Sequence, residues 1–118
     1  MYDKNNIFAK IISGDIAAEK LYEDDKILAI KDINPAADIH ILVVPKEPYI
    51  DFADFISRAS QEDISHYFKT VEKIAKESGS EDYRLIANKG EAAGQSVFHF
   101  HTHILSGLSN NELIDKNL

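Results

Sequence analysis

The sequence predicts an α+β domain: a five-stranded antiparallel sheet carrying two main helices. Three observations predict it. Two stretches repeat apolar residues at helical spacing, five short runs read as strands, one of them markedly β-branched, and the first connections are short enough for hairpins. The chain has 118 residues, about one domain's worth, so 1–118 is read as a single domain with its core over about 5–107 and a polar tail at 108–118.

Ile7, Phe8, Ile11 and Ile12 recur at helical spacing, and Gly14 follows as a C-cap, giving a short first helix. Leu21-Tyr22-Glu23 and Ile27-Leu28-Ala29-Ile30 flank Asp24-Asp25-Lys26 and read as a hairpin. Asn34-Pro35 marks a turn, and the run from Ile39 to Val44 is stopped by Pro45. Residues 60–79 form the clearest helix. Ser60 caps it, Glu62 and Asp63 suit its first turn, and Ile64, Tyr67, Phe68, Val71, Ile74 and Ala75 make its apolar face before Gly79 ends it. Residues 83–87 are the fourth strand. A loop from Asn88 to Ser96 leads into a fifth strand over 97–105.

Composition narrows the function. Apolar residues make up 44% and charged residues 28%, the balance of a folded globular chain. Thirteen Lys+Arg against 20 Asp+Glu give a net charge of −7, which repels polyphosphate chains and argues against a nucleic-acid partner. The absence of cysteine removes disulfides, Cys-ligated zinc and thiol nucleophiles. No apolar run reaches the ~18 residues of a membrane helix, and the N-terminus lacks a signal-peptide layout, so a cytoplasmic protein without membrane partners is expected.

Three of the five histidines stand at His99, His101 and His103. On a strand, alternate side chains share a face, so the three imidazoles project together while Phe98, Phe100, Thr102 and Ile104 occupy the other. Residues two apart on a strand are about 6.6–6.8 Å apart, too far for one ion with bonds of about 2.0–2.1 Å to take all three. Two of them with His40 could hold a metal, and a solvated histidine face is the bland alternative. Covalent catalysis at phosphorus uses more of the pattern. A neutral imidazole is a competent nucleophile, neighbouring imidazoles discourage its protonation, and Gly94 permits a turn whose successive N–H groups could cradle an anion. Among the remaining polar residues, Asp32 by itself is a turn carboxylate and His66 a solvated bystander on the long helix.

Gln95-Ser96-Val97-Phe98-His99-Phe100-His101-Thr102-His103-Ile104-Leu105 resembles the signature of the histidine-triad (HIT) superfamily. Ile7-Phe8-Ala9-Lys10-Ile11-Ile12, Asp32-Ile33-Asn34-Pro35 through His40, Val43-Val44-Pro45-Lys46 and Tyr83-Arg84-Leu85-Ile86-Ala87-Asn88 are similar to blocks of its HINT branch. The resemblance implies a HIT-like fold, a two-fold homodimer and a purine nucleoside phosphoramidase. Its substrate would be a small purine nucleotide, its product AMP or GMP, and no metal or other cofactor is implied. His101 would be the nucleophile forming a nucleotidyl-histidine, with His99, His103 and His40 in its cluster and Ser96 on the phosphate or leaving group. Asp32 would take the ribose hydroxyls. Phe8, Ile11 and Ile33 would wall the base. Asn88, Gly94, Gln95 and Val97 would line the phosphate side, with the Gly94 carbonyl accepting the His101 N–H. A proton relay through His40 or Ser96 would serve the leaving amine. Dinucleoside-polyphosphate hydrolysis of the Fhit type, or a non-catalytic nucleotide-sensing module, are the alternatives. Thr102 departs from the apolar residue usual between the last two histidines, and the tail lacks the Trp-containing end of many HINT relatives.

Overall fold

Helix α1 (Ile7–Ser13) begins where the Asn6 side chain accepts the Ala9 N–H and ends at Gly14, whose φ of 89° suits glycine. Strands β1 (Lys20–Glu23) and β2 (Ile27–Lys31) follow, joined by a turn in which Asp24 accepts the N–H groups of Lys26 and Ile27. Strand β3 (Ile39–Pro45), helices α2 (Phe52–Arg58) and α3 (Gln61–Glu77), and strands β4 (Arg84–Ile86) and β5 (Thr102–Ser106) complete the order. The computed structural model describes residues 1–79 and 81–107, so the expectation for the tail at 108–118 lies outside the described residues. Among them, no helix is long and apolar enough to cross a membrane.

The five strands lie in the order β1-β2-β3-β5-β4, and every neighbouring pair is antiparallel. Strands β2 and β3 are buried along almost their whole length because both faces of the sheet are covered. Alternation sorts their side chains. Ile27, Ala29, Ile41 and Val43 join Phe55, Tyr67, Val71 and Phe100 under α2 and α3. Leu28, Ile30, Leu42 and Val44 meet Phe8 and Ile11 of α1 on the opposite face.

Three expectations need correction. The fifth strand starts at Thr102, not at 97. Extending the register would set Phe100 against Pro45, which has no N–H to offer, and β4 has already parted from β5 after the Ile86–His103 pair. The fourth strand is likewise only Arg84–Ile86. Phe68 is not sealed in the α3 core but 39% exposed at its margin, while Thr70 is buried in that helix. Helix α2 was not expected at all, although Asp51 caps it and Phe52, Phe55 and Ile56 have helical spacing; seven residues give too short a period to stand out.

The Tyr67 hydroxyl ties α3 to the sheet. It donates to the Val43 carbonyl at 2.7 Å and lies 2.8 Å from Thr102 Oγ1, beneath a ring that is fully buried. Tyr67→Phe should therefore lower unfolding free energy by about 0.5–1.5 kcal/mol, read from the urea midpoint, because it removes the buried hydroxyl's hydrogen bonds to Val43 and Thr102.

Candidate active site

The α1 side of the sheet carries the histidines. His103 pairs with Leu42 across the β3–β5 ladder, so both point to that face, as does His40 two residues before Leu42. His99 and His101 lie beyond the ladder yet keep the alternation, packing edge-on against Phe8 at 6.2 and 4.9 Å between ring centres. His101 and His103 are 5.1 Å apart between centres. A pocket of ≈ 330 Å³ opens over them.

Of the expected site residues, Phe8, Ile11, Asp32 and Ile33 line this pocket on one side. Ser96, Val97, His101 and His103 line it on the other. His40 and His99 stand behind the lining and touch it through their neighbours. Asn88, Gly94 and Gln95 are not in the lining. Gln95 is buried and works as a clamp: its side-chain oxygen accepts the Gly90 N–H, and its amide donates to the Ile50 and Val97 carbonyls. Nor does the turn at Gly94 offer an open cradle. The N–H groups of Ala93, Gly94 and Gln95 are spent on the carbonyls of Gly90 and Glu91. Outside the pocket, His66 is exposed, as expected, with its Nε2 2.7 Å from Asp24 Oδ2.

The hydrogen bonds assign every proton in the triad. The Pro45 carbonyl can only accept, so His99 donates to it from Nε2 at 2.6 Å and receives the Tyr2 hydroxyl on Nδ1 at 2.6 Å. His101 donates from Nδ1 to the His99 carbonyl at 2.7 Å, which leaves the lone pair on its Nε2. That acceptor replaces the expected Gly94 carbonyl. The Ala36 N–H can only donate, so His40 accepts it on Nδ1 at 3.0 Å and carries its own proton on Nε2. That proton goes to His103 Nδ1 at 2.9 Å, with Asp32 Oδ2 farther away at 3.4 Å. His103 is then protonated on Nε2, a buried nitrogen with no partner among the described residues.

Two consequences follow. The triad holds one lone pair and one unmet N–H on neighbouring rings whose residues both line the pocket. In addition, His40 cannot relay a proton to His103 without becoming an imidazolate, because Ala36 will not surrender its own. Ser96, the other residue expected in the relay, is exposed in the pocket lining.

Burial opposes protonation of His99, His101 and His103. It pushes the His99 imidazolium down to about 4 against the support of the Pro45 bond, with His101 adding repulsion. It lowers His101 as well, opposed by the His99 carbonyl and by Asp32. It brings His103 to about 3, helped by repulsion from His101 and His40.

Asp32, His40 and His103 bring three donor atoms within 4.8 Å of one another, close enough to ask whether they hold a metal. The tautomers answer against it. A metal would need the His40 Nε2 lone pair, which would force a proton onto Nδ1 against the Ala36 N–H.

Comparison with known proteins gives the family. Residues 13–110 match the family model described as "HIT domain". The chain is 53% identical over 119 residues to an uncharacterized HIT-like protein of Rickettsia prowazekii, covering 99% of each. It is similar to the solved histidine triad protein of Clostridium difficile at 41% identity and a TM-score of 0.79, covering 98% of both chains. A HIT family hydrolase from Clostridium thermocellum superposes with a TM-score of 0.81 at 37% identity, over 96% of this chain and 99% of that one. An α+β fold with a five-stranded antiparallel sheet and a cluster of histidines at one pocket defines the class of protein. The chain belongs to the HIT family.

Neutral buried imidazoles make stability depend on pH. Unfolded histidines titrate near 6.5, whereas His99 and His103 resist protonation down to about 4 and 3. Their share of stability is whole above pH 6.5 and declines as pH falls toward 4, because only the unfolded chain takes up those protons. Urea midpoints measured between pH 7.5 and 5 should fall with acidification, and the slope should be shallower in His103→Asn.

Proposed function

We propose that this chain hydrolyses the phosphorus–nitrogen bond of purine nucleoside 5′-phosphoramidates or adenylylated amines, releasing AMP or GMP through a nucleotide held covalently on His101. The observation that carries this reading is the bare His101 Nε2 beside the unmet His103 Nε2–H, both on residues lining one pocket. A lone pair and a donor set together suit an electrophile bearing an anionic oxygen, as a phosphoryl group does. The hydrolase in the name of the Clostridium thermocellum relative supports the same general class.

In this reading His101 Nε2 attacks phosphorus, a P–N bond to the ring forms, and the P–N bond to the amine breaks. The amine leaves with that electron pair and takes a proton from solvent through Ser96. His103 Nε2–H meanwhile bonds a non-bridging oxygen as charge builds. Water then attacks phosphorus and yields a proton to solvent, and the ring bond breaks to release the nucleotide. Phe8, Ile11 and Ile33 give the base apolar walls, while Asp32 offers a carboxylate to the ribose hydroxyls. One Asp32 oxygen is already held by the Asn34 N–H at 2.8 Å, which fixes the group's orientation.

His101→Ala should lose several orders of magnitude in kcat on an adenosine phosphoramidate while still binding AMP. Rapid quenching without acid, followed by mass spectrometry, should place one nucleotidyl group on the His101 peptide of the wild type. An adduct elsewhere, or near wild-type turnover in His101→Ala, contradicts the mechanism. Faster cleavage of a diadenosine polyphosphate than of the phosphoramidate would shift the substrate class.

We also propose a homodimer. Phe52 and Phe68, 41% and 39% exposed, flank the buried pair Phe55 and Phe100, and Leu85 on the edge strand β4 is 47% exposed. Apolar rings and an open strand edge suit a self-complementary surface. Sedimentation at micromolar concentration should give twice the chain mass; a monomer would contradict this.

A further inference from the structure

The His99 carbonyl that fixes the nucleophile's tautomer belongs to a stretch without ladder hydrogen bonds, since β5 begins only at Thr102. Other contacts must hold it. The Phe100 N–H of the same peptide group donates to the Tyr49 carbonyl at 2.7 Å, and Gln95 donates to the Val97 carbonyl two residues earlier. The third anchor is the His99 ring itself. It is fully buried at 0% exposure, and its two nitrogens are bonded to Pro45 on one side and Tyr2 on the other.

We infer that Tyr2 is a positioning residue for the nucleophile His101, acting through His99. The Pro45 carbonyl claims the His99 Nε2 proton, so Nδ1 can be satisfied only by an outside donor, and the Tyr2 hydroxyl at 2.6 Å is that donor. The two rings meet edge to face with centres 5.6 Å apart. Without the hydroxyl, a buried acceptor is orphaned. The ring can recover a partner only by turning or by moving its proton, and either change breaks the Pro45 bond. The His99 backbone then loses a fixed point, and with it the carbonyl that holds the His101 proton on Nδ1. Tyr2 is not in the pocket lining, so nucleotide binding does not depend on it. Nothing in the first six residues marks this role, since Met1-Tyr2-Asp3-Lys4-Asn5-Asn6 shows no periodicity or motif.

The turnover part of the test rests on the phosphoramidase reading; the proton part does not. Tyr2→Phe should lower kcat about tenfold with KM within about twofold of wild type, the split expected of a group acting on the chemical step alone. In the free protein, the His101 Nδ1–H resonance should lose its protection from solvent exchange. Placing 4-aminophenylalanine at position 2 restores an N–H donor and should restore both signals. Unchanged kcat with an unchanged His101 proton overturns the inference. So does a variant that melts earlier but keeps both, because Tyr2 would then only support the fold. If the wild type cleaves no phosphoramidate yet Tyr2→Phe exposes the His101 proton, the reaction is wrong and the positioning role stands.

Discussion

A backbone amide proton cannot be given up at any working pH, and one such proton, on Ala36, sets the state of half the histidine cluster. It makes His40 an acceptor on Nδ1, which makes His40 a donor to His103, which leaves the His103 Nε2–H facing outward from the chain of bonds. The His99 carbonyl does the complementary work by only accepting: it keeps the His101 proton on Nδ1, while the Pro45 carbonyl anchors the His99 ring behind it. Two main-chain groups of opposite character thus leave a lone pair on one ring and a proton on its neighbour. Burial lowers the proton affinity of His99, His101 and His103, which favours their neutral forms.

The sheet is what brings those two main-chain chains of bonds together. His40 lies near one end of β3 and Pro45 at the other, and His103 is fixed opposite Leu42 by the ladder between them. A slip of one residue in that register would turn His103 toward Tyr67 and bring Thr102 to the pocket side. The α2–α3 core guards against it, with Tyr67 bonded to both Val43 and Thr102, one on each strand of the pair. Packing on one face of the sheet therefore secures the chemistry on the other.

Much of this is legible in the amino-acid sequence. The alternating histidines read correctly as one face, because alternation survives a break in hydrogen bonding as long as the chain stays extended. The helix at Gln61–Glu77 was plain from its cap and its period. What could not be read was any contact made by the main chain or across long separations. The acceptor for His101 is its near neighbour His99 and not Gly94, the donor to His40 is the amide of Ala36, and Tyr2 reaches His99 across 97 residues. Gln95 was placed on the phosphate side because of its position in the motif, yet its amide is used up holding the loop. Side-chain type and spacing announce which residues can do chemistry; they say little about which polar group is already occupied.

Nitrogen-15 NMR of the imidazoles in the free wild-type protein near neutral pH reads these proton positions directly. All four rings should be neutral. His101 should show a protonated Nδ1 and a bare Nε2, while His99, His40 and His103 each carry the proton on Nε2. A His101 ring protonated on Nε2, or a His103 ring with its proton on Nδ1, would contradict this assignment, because the pocket would then lack the lone pair or the donor that the proposed reaction requires.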